Sequence, residues 1–518
     1  MPKHVCSLMV VWSLLSLGLV GCGGGSSSGS LLRDLVGQQN RSGDWVEGLF
    51  LPSSDFRHYC ANPRSGSQVA DRQGSYVDEN NWLRAWNRET YLWYDESPDL
   101  DPAGTTRPAT YHQQLGRPGD VFRWSQSTEA YRRLTESGVS AGYGIRWRLL
   151  RSTAPNRDIR VAYTEPDSPA ALAGVPRGAR VLSVNGSDAV GGDNVDLLNA
   201  SLYPDEEDET YTFVFSLPNG ETLETQLTSA ELTVSPVQTQ TVIERPTGHI
   251  GYIHFTRHIA TAESALAEAI QSLSQAGVSD LVIDLRYNGG GFLRIASQLA
   301  YMVAGPEQTQ GQIFEVMQFN DQHPDINPVT GRSIEPEPFL STRREGADLP
   351  SLNLERVVVL TGSGTCSASE ALINGLRGID VEVIQIGADT CGKPYGGYTT
   401  DNCGNSYFMP QFMGVNAKGY GDYTDGFYPV INAGDDPAGL PGCRVDDDFG
   451  HALGDAQEAR LAAAIHYLEQ GECPVSSSAL LQQYPAAPGE TLPSGIGIQP
   501  SGEGAIRQPP GINDRLMR

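Results

Sequence analysis

The chain is short of positive charge. Its 36 Lys and Arg face 62 Asp and Glu, a formal net charge of −26 over 518 residues. A surface of that sign repels phosphate, which argues against nucleic acid and anionic membrane surfaces as partners. No Cys-x-x-Cys occurs, so neither a zinc ribbon nor a thioredoxin-like site is expected. Outside residues 5–20 no stretch approaches 18 unbroken apolar residues, the length a spanning helix needs. Other motifs each lack a part. The Gly-x-Ser-x-Gly at residues 25–29 has no strand before it and no helix after it, so it is no nucleophile elbow. Residues 387–393 match a phosphate loop, but Pro394 stands where a Ser or Thr would hold Mg²⁺. His254 and His258 are four apart without a Glu, in a strand-like context unsuited to zinc. The acidic run at 446–448 reads as a solvated loop, with calcium ligation as the alternative. No cofactor and no metal are expected.

What is present begins with an address. Lys3 precedes an apolar run over residues 5–20, the length of a secretory h-region. The run ends in Leu19-Val20-Gly21-Cys22, which resembles a bacterial lipobox. That resemblance implies cleavage before Cys22, lipidation of its thiol, and anchoring to a membrane. Gly23, rather than Asp, implies the outer membrane facing the periplasm. Residues 1–21 are thus a signal, 22–74 a tether and weakly structured linker, and 475–518 a Pro-, Gly- and Ser-rich tail expected to be disordered. Cys6 leaves with the signal, and six cysteines remain beyond Cys22. An even number in an exported chain predicts disulfides, with fifteen connectivities open. Cys391 and Cys403 flank the loop holding Lys393 and are expected to pair.

Residues 75–138 read as a helical segment, with Trp82, Leu83, Trp86, Tyr91, Leu92 and Trp93 at near-helical spacings and a second helix over 120–137. Residues 139–232 change to short strands and turns. Gly142-Tyr143-Gly144-Ile145 opens an alternating strand, Ser-Pro-Ala-Ala-Leu-Ala-Gly (168–174) forms a short helix, and a strand ends in the Asn185-Gly186 turn. This succession resembles a PDZ domain of the bacterial protease kind. The resemblance implies that backbone N–H groups of Gly142, Tyr143, Gly144 and Ile145 capture a C-terminal carboxylate while the peptide adds as a strand.

Residues 233–474 alternate strand and helix, which argues α/β. Residues 305–352 are read as long loops over one face. Three motifs stand out: Leu-Arg-Tyr-Asn-Gly-Gly-Gly (285–291), Ser-Ala-Ser-Glu (367–370) and Cys-Gly-Lys (391–393). Together with the preceding unit they resemble the C-terminal processing peptidases, also called tail-specific proteases. The resemblance covers about residues 75–470. It implies a crotonase/Clp-protease-like ββα core, Ser367 as nucleophile and Lys393, 26 positions later, as base. Ala368 N–H is the implied first oxyanion donor. Many relatives carry Pro at the position of Gly289, so Gly290 is the second. Gly397 replaces a Gln that several relatives use to orient the lysine, and either Glu370 or a polar group in the Tyr395 to Asn402 loop is the expected substitute.

Physical chemistry sets requirements on these roles. A serine hydroxyl needs a base to become nucleophilic. A lysine is a base only when neutral, so its site must be apolar. A helix N-terminus favours a developing oxyanion. Against this, Ser367 with Glu370 three residues on is also an ordinary capping box. The reading is a serine endopeptidase acting on proteins held by their C-terminal tails through an acyl-enzyme. The alternatives are an inactive PDZ scaffold that binds protein C-termini, or an esterase using Ser367, Asp446 and His451.

Overall fold

The computed structural model describes residues 45–66, 70–204, 206–431 and 434–474, with the backbone of Arg515–Leu516. The signal, Cys22 and nearly all of the tail lie outside the described residues. Helix α1 (Tyr76–Thr90) begins where Ser75 and Asp78 cap each other reciprocally. It buries Trp82, Leu83 and Trp86 against Tyr91, Tyr111 and Leu115, and against Tyr407 and Met409 from far along the chain. The N-terminal piece is therefore fastened to the segment that follows Lys393. Helix α2 (Thr128–Ser137) is shorter than the expected 120–137, because Trp124–Ser127 is drawn into a strand beside Asn405–Phe408.

A small antiparallel sheet follows: β1 (Ile145–Arg151), β2 (Asp158–Thr164), β3 (Arg180–Val184), β4 (Thr210–Ser216) and β5 (Thr222–Thr228), in the order β5-β4-β3-β2-β1. Alternation puts Trp147, Ile159, Val161, Val181, Phe213 and Phe215 on one buried side. Strand β1 ends the sheet, and among the described residues one of its edges is unpaired.

The main sheet has β6 (Val237–Ile243), β7 (His249–Phe255), β8 (Val278–Asp284), β9 (Arg356–Thr361), β10 (Glu382–Gly387), β11 (Tyr428–Val430) and β12 (Gly439–Arg444). Its order is β6-β7-β8-β9-β10-β12-β11, antiparallel only at β6. Strands buried on both faces read as continuous apolar runs, as Val357 to Leu360 does. Helices α3 (Ala262–Gln275), α4 (Leu293–Thr309) and α5 (Ala368–Gly378) cover one face, meeting Ile253, Ile283, Val357 and Val359. Helix α6 (Ala459–Gln470) covers the other, meeting Tyr252, Val282, Val358 and Leu360. Each fully buried aliphatic side chain contributes about 1.5–3 kcal/mol relative to exposure.

Two expectations need correction. Residues 305–352 are not all loop: Ile313–Phe319 pairs with Phe412–Val415 in a second sheet that also takes Tyr395–Gly397, and Arg515–Leu516 lies parallel beside that strand. The apolar residues Ile313, Phe314, Val316 and Met317 keep no two-residue period, and their Gly- and Pro-rich surroundings read as loop. Cys391 does not pair with Cys403. The bridges are Cys60–Cys403, Cys366–Cys391 and Cys443–Cys473. The nearness in sequence of Cys391 and Cys403 misled, because each meets a half-cystine brought by a different segment.

His112, His254 and His258 are all buried. Burial pushes them down to about 3, about 4 and about 3. Each folded value lies below the unfolded one, so their contribution is complete above about pH 6.5 and is lost as pH falls toward the folded values. Between pH 5 and 6, unfolding should take up about one proton at each. Replacing His112 by Asn should lower the slope of urea-derived stability against pH by about 1.4 kcal/mol per pH unit. An unchanged slope would contradict the burial of that imidazole in neutral form.

Candidate active site

Three loops leave the carboxyl ends of the adjacent parallel strands β8, β9 and β10, the end where open α/β sheets collect ligands. They carry residues 285–291, 362–367 and 388–394. The sheet thus brings Gly290, Ser367 and Lys393 to one edge, although the first precedes the second by 77 positions.

Ser367 precedes the first residue of α5 with φ 57° and ψ −115°. An ordinary N-cap is extended, with its side chain turned to the helix. A non-glycine residue held at this φ costs on the order of 1–3 kcal/mol and needs surroundings that enforce it. Its Oγ is buried without a hydrogen-bond partner. Ala368, also buried, opens the helix, so its N–H is among those without an intrahelical acceptor. Gly290 closes over this point at φ 100°. A Cβ there would lie 2.8 Å from Ala368 N and 2.9 Å from Ser367 Cβ, so glycine alone leaves the space before Ala368 N–H open. The Gly290 N–H itself donates to Asn288 Oδ1 (2.9 Å). Asn288 organises this loop: its carbonyl accepts Cys366 N–H (3.1 Å) and Ser369 Oγ–H (3.0 Å), and its side chain meets His258 Nδ1 (3.1 Å).

Glu370 joins the two halves of the site. Its Oε2 accepts Ser367 N–H and Lys393 N–H, both at 2.9 Å; its Oε1 accepts Gly392 N–H (2.8 Å) and Thr390 Oγ1–H (2.6 Å). Burial pushes this carboxyl up, and the four donors pull it back. Lys393 is 1 % exposed. Its Nζ lies 4.6 Å from the Phe408 ring centre and 5.3 Å from that of Phe122. The N-terminal piece therefore supplies one wall of the lysine's surroundings. At Gly397 a Cβ would meet Met409 O at 2.4 Å, so the backbone leaves no place there for the Gln of the relatives.

The loop before β1 is also ordered by its carbonyls. Tyr143 O accepts Ala170 N–H (3.0 Å) and Gly144 O accepts Glu165 N–H (2.7 Å). In a trans peptide the C=O and the next N–H point oppositely, so Gly144 and Ile145 N–H face away from those partners. Gly142 and Gly144 hold φ of 149° and 78°. Strand β1 also reaches the other site. Arg148 Nη2 donates to Ser363 Oγ (2.8 Å), in the loop before Ser367, and Arg146 Nη2 to Tyr287 O (3.4 Å). Arg177 donates to Tyr287 Oη and Asp447 Oδ1, both at 2.7 Å. Sequence reasoning missed these arginines. Their only signal is the cationic alternation Arg146, Arg148 on a strand.

The alternative triad is not assembled. His451 is exposed and bonds Asp448 Oδ2 at 2.7 Å, not Asp446, while Ser367 is buried. Among the described residues the cluster with metal-ligand spacing is Cys366, Glu370 and Cys391, and its two sulfurs are consumed in a disulfide.

Glu370→Gln turns an amide nitrogen toward one of four donors. It should cost about 1–3 kcal/mol, measured as a lower urea midpoint with unchanged slope. An unchanged midpoint would mean the carboxylate is not needed to join the loops.

The profile of Peptidase family S41 matches residues 249–401. A C-terminal processing peptidase, chloroplastic, of Tetradesmus obliquus is 26% identical over 318 residues, covering 58% of this chain and 62% of its own. A carboxyl-terminal-processing protease of Synechocystis sp. is 25% identical over 260 residues, covering 50% of this chain and 54% of its own. The chain thus spans less than two thirds of the length of these curated relatives. A crystal structure of a candidate S41 protease from Bacteroides fragilis superposes with TM-score 0.57 at 22% identity, covering 75% of this chain and 97% of that one, a likeness of fold. The S41 profile spans all three loops, and over half of its length or more the chain is similar to C-terminal processing peptidases.

Proposed function

We propose that the chain is a serine endopeptidase that takes proteins by their C-terminal tails and cleaves them through Ser367 and Lys393. The observation that carries this reading is the single carboxylate, Glu370, that ties the backbone of a strained, helix-opening serine to that of a buried lysine. In this reading Lys393 Nζ takes the Ser367 hydroxyl proton as Oγ bonds to the scissile carbonyl carbon. The oxyanion settles before Ala368 N–H. Lys393 then gives the proton to the leaving amine, and water hydrolyses the ester. Gly290 serves by lacking a side chain, and by its N–H when the bond to Asn288 is exchanged. The Ser367 hydroxyl makes no hydrogen bond in this conformation, so the contact with the base forms when substrate enters, as in many resting sites. The unit built on the small sheet acts as a PDZ domain, Gly144 and Ile145 N–H holding the tail carboxylate and the free edge of β1 receiving the tail as a strand. The core belongs to the crotonase/Clp-protease-like ββα class. The protein is lipid-anchored through Cys22, in the outer membrane facing the periplasm; three disulfides using six cysteines fit an oxidising compartment.

A second reading is favoured by one observation: Ser367 is 0 % and Lys393 1 % exposed, which also suits an inactive scaffold that only binds tails. Cleavage of an unstructured polypeptide separates the two. Wild type should cleave it, and Ser367→Ala and Lys393→Ala should each fall by about 10³-fold or more. Equal rates for wild type and Ser367→Ala would leave only the scaffold. Gly290→Ala fills the oxyanion space and should lower kcat by about 10²–10³-fold. Amidating the substrate's C-terminus should raise KM and leave kcat nearly unchanged; an unchanged KM would remove tail recognition.

A further inference from the structure

We infer that the Cys366–Cys391 disulfide is a positioning element of the reaction: a covalent brace between nucleophile and base that makes turnover depend on its oxidation. This rests on the reading of Ser367 and Lys393 given above.

The bridge lies in the catalytic segment itself. Cys366 is the residue before Ser367, and Cys391 stands two before Lys393. Cys366 is buried and Cys391 half-buried. Backbone bonds flank it on both sides: Cys391 N–H donates to Thr365 O (3.0 Å) and Cys366 N–H to Asn288 O (3.1 Å). Asn288 is the residue that shapes the oxyanion loop, so the brace also joins the third element of the site. The other two bridges place no half-cystine beside Ser367 or Lys393.

Glu370 gives the brace a chemical consequence. Cys391 Sγ is 3.3 Å from Glu370 Oε2, the oxygen that accepts both Ser367 N–H and Lys393 N–H. As half of a disulfide this sulfur carries no proton, and the carboxylate is left to its four donors. A dithiol that reduces the bridge supplies two electrons and two protons. The S–S bond breaks, two thiols form, and the dithiol leaves as its own disulfide. Cys391 then carries an S–H beside Oε2 and competes with the two N–H groups for it. The two sulfurs must also separate from bonding to van der Waals distance, which pushes the loops apart. Ser367 loses the covalent tie at the residue before it, and its left-handed backbone is free to relax toward an ordinary helix cap. Each change moves the hydroxyl away from its base. Misplacement by about 1 Å costs on the order of 10²-fold in rate.

The prediction is tested on the full chain with an unstructured polypeptide substrate. Reduction under native conditions is followed by mass-spectrometric mapping of which bridges are open. The fraction of Cys366–Cys391 opened should track the fall in kcat, with KM within about twofold, and reoxidation should restore it. The double variant Cys366→Ala/Cys391→Ala should lose about 10–10²-fold in kcat, shift the acid limb of its kcat/KM profile against pH, and be insensitive to dithiol. The control Cys443→Ala/Cys473→Ala should keep the wild-type response to dithiol. An opened bridge with unchanged kcat would overturn the inference, as would a double variant with wild-type kcat and pH profile. If oxidised wild type and Ser367→Ala are equally inert, the fault lies with the assignment of Ser367 and not with the brace.

Discussion

One carboxylate holds the site together. Glu370 sits on the first turn of the helix that Ser367 opens, and its two oxygens take the backbone N–H of Ser367 at one end and those of Gly392 and Lys393 at the other. Everything else about the site presupposes that tie. The helix delivers the N–H groups, the strand before it sets the turn, and the next strand launches the lysine loop; the carboxylate, with the Cys366–Cys391 bridge beside it, fixes one loop against the other. A buried charge of this kind is tolerated because donors surround it. Removing any of them leaves a charge or an N–H stranded.

The tie explains the architecture around it. Adjacent parallel strands release their loops side by side, which sets residues 285–291, 362–367 and 388–394 within reach of one another without long connections. The small sheet is held over this edge by charge. Arg177 reaches Tyr287 and Asp447, and Asp447 also meets Arg286, which pairs with Asp284 and Glu458. Burial pushes the Asp447 carboxyl up, but Arg460, Arg286 and Arg177 outweigh it and hold the group well below the usual range. Tyr287 stands next to Asn288, so the residue that anchors the small sheet neighbours the one that shapes the loop over Ala368 N–H.

The parts of this arrangement legible in the sequence are the local ones. Strand followed by Gly-rich turn followed by helix is written in consecutive residues at 281–303 and again at 357–378. The α/β alternation and the three loop motifs could be read from period and spacing. Glu370 was visible as half of a capping box, but its second partner, Lys393 N–H, depends on how two loops meet. The disulfides escaped for the same reason: sequence gives six sulfurs and no distances. The strand Ile313–Phe319 was hidden because its partner, Phe412–Val415, lies almost a hundred residues on. Arg146, Arg148 and Arg177 look like surface charge until the neighbouring unit is placed beside them. The strain at Ser367 has no sequence signature, since any serine before a helix looks like a cap.

The Cys60–Cys403 bridge joins residues 343 positions apart, whereas the other two span 25 and 30. Closing so long a loop costs only logarithmically more entropy than closing a short one, so the difference is one of order rather than of energy. The two short bridges can close within their own neighbourhoods. Cys60 and α1 must wait for Cys403, Tyr407 and Met409, residues synthesised long after them. The Phe122 ring beside Lys393 Nζ arrives with the same docking. The wall around Lys393 is therefore completed after Ser367 and Lys393 are already in place, and a chain ending before residue 403 would hold the two residues without it.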